Sequence, residues 1–171
     1  MRPTTVLLLL FLTGLFIGCG GPEGNGALEV KKVEGQLIND IGIASFPTPT
    51  GWLPNRSGGL TSVILTREGT DPKTVEDMIS IDVGEPLSER VQDSANALAK
   101  KFGGTTAKLP YLIDGAEAYR VSIPPNYEQL MPRECIAVHH GEHLCFLLGA
   151  SKSNTEIWPV VEEIAQSWSW N

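Results

Sequence analysis

Leu109-Pro110-Tyr111-Leu112-Ile113-Asp114-Gly115-Ala116-Glu117-Ala118-Tyr119-Arg120-Val121-Ser122-Ile123 is the stretch on which the fold turns. Two strand-like runs flank Asp114-Gly115, a dipeptide suited to a two-residue turn because both central positions need positive φ. The pattern predicts a hairpin of residues 109–113 and 116–123, ended by Pro124-Pro125. A second hairpin follows, residues 133–138 and 142–150 around His139-His140-Gly141. A three-residue loop there puts Gly141 in the left-handed position. It also sets Cys135 opposite Cys145, with Ile136, Val138, Leu144, Phe146 and Leu148 on one core face.

Upstream, strand patterns cover residues 37–46, 60–66 and 78–83. Pro47, Pro49 and Pro54 are expected to forbid regular structure until Gly59. Leu87, Val91, Ala95, Leu98 and Phe102 recur at helical spacing. Ser88 can cap that helix, and Gly103-Gly104 stops it after Lys100 and Lys101. Downstream, Ile157, Val160, Val161, Ile164 and Trp168 predict a closing helix with Pro159 in its first turn, where proline is tolerated. Ser167-Trp168-Ser169-Trp170 then reads as a short edge strand. The expected fold is α+β: one curved, mostly antiparallel sheet of about six or seven strands with two packed helices.

The N-terminus has a different character. Arg2 is its only charge before Glu23, and residues 6–18 are almost wholly apolar. This is the pattern of a secretory signal peptide, and it is far shorter than the ~20 residues of a spanning helix. It ends Leu15-Phe16-Ile17-Gly18-Cys19, which resembles a bacterial lipobox, with Phe16 where that motif usually has leucine. The resemblance implies cleavage before Cys19 and acylation of Cys19. Several acyl chains hold a protein stably, where one holds it marginally. Gly20 after the cysteine favours the outer membrane in a cell that has two. The division expected is a signal peptide over 1–18, a lipidated cysteine and flexible tether over 19–36, and a single domain over 37–171. Residues 20–26, Gly-Gly-Pro-Glu-Gly-Asn-Gly, have nothing apolar to bury and serve as a spacer.

The chain of 171 residues carries 13 basic and 20 acidic side chains, for a net charge of -7. Loss of Arg2 makes the mature form slightly more acidic. Such a balance argues against nucleic acid, which selects a basic face. It equally leaves membrane attachment to the N-terminal lipid. There are three cysteines. With Cys19 assigned to lipid, Cys135 and Cys145 remain as an even pair, which in an exported protein predicts a disulfide.

Phe46 and Gly51-Trp52, the Asp114–Arg120 hairpin, the Cys135–Ala150 hairpin and the terminal Gln166-Ser167-Trp168 come in an order that resembles the PsbP-like superfamily of α/β sandwich domains. The likeness spans residues 37–171. It implies a non-enzymatic role such as assembly factor, extrinsic subunit or small-GTPase binder. None of the family's partner-binding residues maps onto this chain.

His139-His140-Gly141-Glu142-His143 fits the string of inverted zinc proteases. That chemistry needs a helix to bring two histidines to one face, and strand-like runs flank this one. His139, His140 and His143 are therefore metal candidates only as an exposed hairpin tip. Glu76-Asp77 and Glu162-Glu163 are adjacent pairs that do not face each other. Ser57-Gly58-Gly59 and Gly103-Gly104 lack the lysine of a phosphate loop. Trp52, Trp158, Trp168 and Trp170 fit core positions, Trp170 being the most exposed. No catalytic residue and no cofactor is expected. The sequence points to a lipid-anchored extracytoplasmic envelope protein whose non-catalytic domain binds or stabilises an envelope partner. The alternative is a small-ligand or metal-binding lipoprotein using the His-rich tip.

Overall fold

Glu34 and Gly35, with φ of 49° and 89°, turn the chain between β1 (Glu29–Val33) and β2 (Gln36–Asp40). The computed structural model describes residues 29–55, 61–70, 77–125, 131–152 and 157–171. The N-terminal apolar run, Cys19, the tether up to residue 28, Ser57-Gly58-Gly59 and Glu76 lie outside them. β1 and the turn after it occupy residues the sequence assigns to the tether, while β2 runs into the expected domain. Its signal is the dipeptide Glu34-Gly35, which supplies two left-handed positions in a row.

The run 37–46 is not one strand. It breaks at Gly42 (φ 86°) into β2 and β3 (Ala44–Pro47), which pair antiparallel. Asn39 is fully buried and pins them: its amide donates to the Phe46 carbonyl at 3.3 Å and to Thr48 Oγ1 at 2.8 Å. Nor do the prolines keep the next segment irregular, because β4 (Trp52–Asn55) contains Pro54. β4 is the outermost strand of its sheet, where proline costs no ladder hydrogen bond. β5 (Thr61–Arg67) and β6 (Asp77–Gly84) follow near the expected places.

Helix α1 (Val91–Phe102) starts after the expected Ser88, with Arg90 at the cap position and no side-chain hydrogen bond to the helix's first backbone N–H groups. Its end is as read. Gly103 is left-handed at φ 69°, and the Gly104 N–H donates to the Ala99 carbonyl at 2.7 Å. β7 (Thr105–Thr106) and β8 (Tyr111–Ile113) lie along the same side of β9 (Ala116–Ile123). Asp114 and Gly115 make the expected turn, with φ of 44° and 79°.

The second hairpin, β10 (Arg133–His140) and β11 (His143–Ser151), has a different register from the one expected. His140 pairs with His143, so the loop is the two residues Gly141-Glu142, with positive φ at Gly141 alone. Glycine at the first central position suits a type II′ turn. The turn lies further along the chain than expected, so each β10 residue meets a β11 partner three places on, and an odd shift sets the faces of the two strands differently against each other. Cys135 now opposes Leu148, and Cys145 opposes Val138. The two thiols are free, buried, and on opposite faces, so there is no Cys135–Cys145 disulfide. The face expected to hold Ile136, Val138, Leu144, Phe146 and Leu148 is split likewise. Ile136, Val138, Cys145 and Leu147 share one side, while Leu144, Phe146 and Leu148 take the other.

α2 (Trp158–Gln166) carries Pro159 in its first turn, and β12 (Ser169–Trp170) closes on β3. Among the described residues the strands form two antiparallel sheets, not one. Four strands run in the order β1-β2-β3-β12, and eight centre on β6-β11-β10-β9. The single sheet of about six or seven strands with two helices is thus corrected: this is a mostly-sheet, two-sheet sandwich. One layer of core lies between the small sheet, α2 and the inner face of the large sheet, and includes Phe46, Ile81, Ile136, Leu147, Ile164 and Trp168. A second lies under α1 on the other face, from Ala95 and Ala99 to Val121, Ala137 and Leu144. The large sheet is covered on both faces, which is why Ile79, Ile81, Ile136 and Val121 are all sealed from water.

Candidate functional site

At one end of the large sheet the β8–β9 and β10–β11 turns meet the start of α1. The register explains what gathers there. Val138 pairs with Ala118, so His139 and Glu117 follow one step on, side by side on the α1 face. Leu144 pairs with His139, and Leu112 with Glu117. One row therefore runs Leu144, His139, Glu117, Leu112 across four strands. Leu144 is sealed at 1% exposure in the core under α1, whereas Leu112 at the other end of the row is 72% exposed. At the start of the helix a depression of about 380 Å³ opens, lined by Glu89, Arg90, Val91, Gln92, Glu117 and His139.

The polar groups here are partly committed to each other. His139 Nε2 lies 3.0 Å from the hydroxyl of Ser94, which is wholly buried on α1. Burial also pushes the His139 imidazole below its ordinary pKa, because the charged form loses water. Arg90 grips Asp93 with two hydrogen bonds of 2.7 and 3.0 Å. The Tyr119 hydroxyl donates to Glu117, and that bond, followed by burial, raises the phenol's pKa. The Ser94–His139 pair resembles half of a hydrolytic dyad only in composition. A nucleophile must reach its substrate, and the Ser94 side chain has no exposed surface.

The three histidines do not converge. His139 lies on the α1 face. His140 and His143 pair on the other, and the His140 ring stacks on Trp170 at 4.1 Å with an interplanar angle of 2°. Strand alternation separates what a helix would have brought together. Among the described residues, no three His, Cys, Asp or Glu side chains are placed to hold a metal ion. Of the acidic pairs, Glu162 accepts from the Tyr111 hydroxyl at 3.3 Å, and Asp77 is buried against Arg67 and Ser151. Trp52 and Trp168 are core residues, while Trp158 and Trp170 are partly buried; the Arg120 guanidinium lies 3.7 Å over the Trp158 ring.

Ser94, Glu117 and Leu112 have no place among the residues the sequence singles out. Ser94 left a trace: it stands three residues after Val91, a polar group inside the apolar stripe of α1. Leu112 could not be found from pattern, since an exposed leucine in a strand looks like a buried one.

No family model matches the chain, and no curated protein matches it. Solved structures do. The solution structure of cyanobacterial PsbP (CyanoP) from Synechocystis sp. PCC 6803 superposes with a TM-score of 0.51 at 13% identity, covering 91% of this chain and 99% of that one. A crystal structure from Bacteroides thetaiotaomicron VPI-5482 gives 0.52 at 9% identity, over 75% of this chain and 45% of the other. At such identities the likeness is one of fold: the described domain is similar to a PsbP-like sandwich.

Proposed function

We propose that this protein is a lipid-anchored extracytoplasmic protein whose single, non-catalytic domain binds or stabilises a partner in the cell envelope. The anchor rests on the short apolar run of residues 6–18 ending at Gly18-Cys19, followed by a glycine-rich spacer. The binding role rests on one observation above others. At the open end of the large sheet His139 is tied to Ser94 and Arg90 to Asp93, and large apolar side chains stand out to solvent: Leu112 at 72% exposure in the same row as Glu117, and Leu109 at 78% just before it in the chain. Large apolar side chains so exposed and so close in the chain favour contact with another macromolecule. The PsbP-like fold agrees with a non-enzymatic role.

Crosslinking in intact cells tests this reading. A crosslinker at the exposed surface should capture the same envelope protein repeatedly, and the capture should fall when Cys19→Ala releases the domain from its membrane. Capture of nothing from any exposed position counts against it.

A further inference from the structure

Resting on that partner-binding reading, we infer that the Leu112–Glu117 ledge and the adjoining depression form the docking site for an extended, cationic segment of a partner protein. Three observations converge. The first is the strand edge. Ile113 and Ala116 close a two-residue turn, so they are a hydrogen-bonded pair and Leu112–Glu117 is the next, non-hydrogen-bonded one. Leu112 thus directs its own N–H and C=O away from β9. No described strand pairs with that side of β8. An extended segment laid there gains both bonds at Leu112, and Pro110, which has no N–H, limits the pairing to a short stretch.

The second is the apolar ledge itself. Leu112 projects on the same face as Glu117, with Leu109 nearby in the chain and Leu87, 57% exposed, just before α1. The third is charge. Arg90 is neutralised by its two bonds to Asp93. Glu89 and Glu117 line the same depression and have no cationic partner among the described residues. The segment that fits therefore carries an apolar side chain against Leu112 and, two residues along and so on the same face, a lysine or arginine reaching the two carboxylates. The net charge of -7 favours its approach.

Two measurements on the full chain test the proposal. The first uses a labelled ten-residue peptide in which every second residue is in turn valine or lysine, with threonine between them, so that valine and lysine share one face; the control carries glutamate in place of lysine. The lysine peptide should bind, and the glutamate peptide should not. The double variant Glu89→Gln/Glu117→Gln and, separately, Leu112→Ser should each weaken binding at least about tenfold. Both variants lie at exposed positions, and unchanged thermal unfolding confirms that the fold survives. Equal binding of the two peptides, or undiminished binding by either variant, overturns the proposal. The second places a photocrosslinking residue at Leu112 or, on the far edge of the sheet, at Leu53 in intact cells. The expected product forms at Leu112, maps to a partner peptide with a Lys or Arg two residues from the attachment point, and is lost in the Glu89→Lys/Glu117→Lys variant. A partner captured only at Leu53, or a crosslink between two copies of this chain, refutes this surface while leaving partner binding intact. Capture at neither position removes both.

Discussion

Cys135 and Cys145 stand back to back across the large sheet: Cys135 opposes Leu148 under α1, and Cys145 opposes Val138 in the core beneath α2. Burial raises both thiol pKa values, Cys145 to about 12, and for Cys135 the neighbouring Asp82 and Glu134 add to the effect. Neither thiol should react with an alkylating reagent in the native protein near pH 8, because the reactive species is the thiolate. Both should react once the chain is unfolded without reductant. A disulfide-linked peptide pair found in protein from an oxidising compartment contradicts this register.

Gly149 on β11 lies close under Ile157 and Val161 of the α2 segment. A Cβ there meets Val161 Cγ2 at 2.6 Å and Ile157 Cγ1 at 2.8 Å. Gly149→Ala should destabilise the domain by about 1–3 kcal/mol in urea unfolding, the usual cost of overpacking. Val161→Ala should relieve part of that loss when combined with it, a coupling that a double-mutant cycle reads directly. Strict additivity of the two changes argues against this contact.

His139 sets a pH dependence. Its folded pKa lies below the ordinary 6.5 because burial disfavours the imidazolium. As pH falls through 6.5, the unfolded chain takes up the proton before the folded one does. The stability this group contributes is therefore complete above about pH 6.5 and is lost progressively below it, until the folded form is protonated too. Unfolding free energies of wild type and His139→Gln, measured from about pH 8 to pH 5, should show a shallower acid-side decline in the variant. Parallel curves contradict the burial of this ring.

His139→Ala should cost about 1–3 kcal/mol at neutral pH, since it strands the buried Ser94 hydroxyl without its partner. His143→Ala should stay within about 0.5 kcal/mol, because His143 is exposed at the hairpin tip. Equal effects at the two positions contradict the assignment of the tip histidines to different surroundings.

The local turns were the most legible part of the chain. Asp114-Gly115, the Gly103-Gly104 helix stop and the placing of Pro159 all follow from backbone sterics, which act over a few residues and leave direct marks in sequence. Register was not legible. Whether the second loop holds two residues or three is decided by packing on both faces of β10 and β11, and His139-His140-Gly141-Glu142 is compatible with either. The resulting three-residue shift in pairing put the two cysteines on opposite faces instead of one. The small sheet was hidden for a related reason. β1 has only Val30 half-buried among exposed neighbours, so its sequence resembles the polar tether before it. The depression beside Glu117 arises from where α1 starts relative to the strands, and no segment of sequence encodes that alone.

Whether the domain works from a membrane surface is decided by the mass of its N-terminal peptide, read together with fractionation of wild type and Cys19→Ala. The mature chain should begin at Cys19, carry the added mass of acyl chains, and sediment with membranes, while Cys19→Ala should leave the membrane fraction with its domain folded. A mature protein with an unmodified Cys19, free of the membrane, would contradict the account.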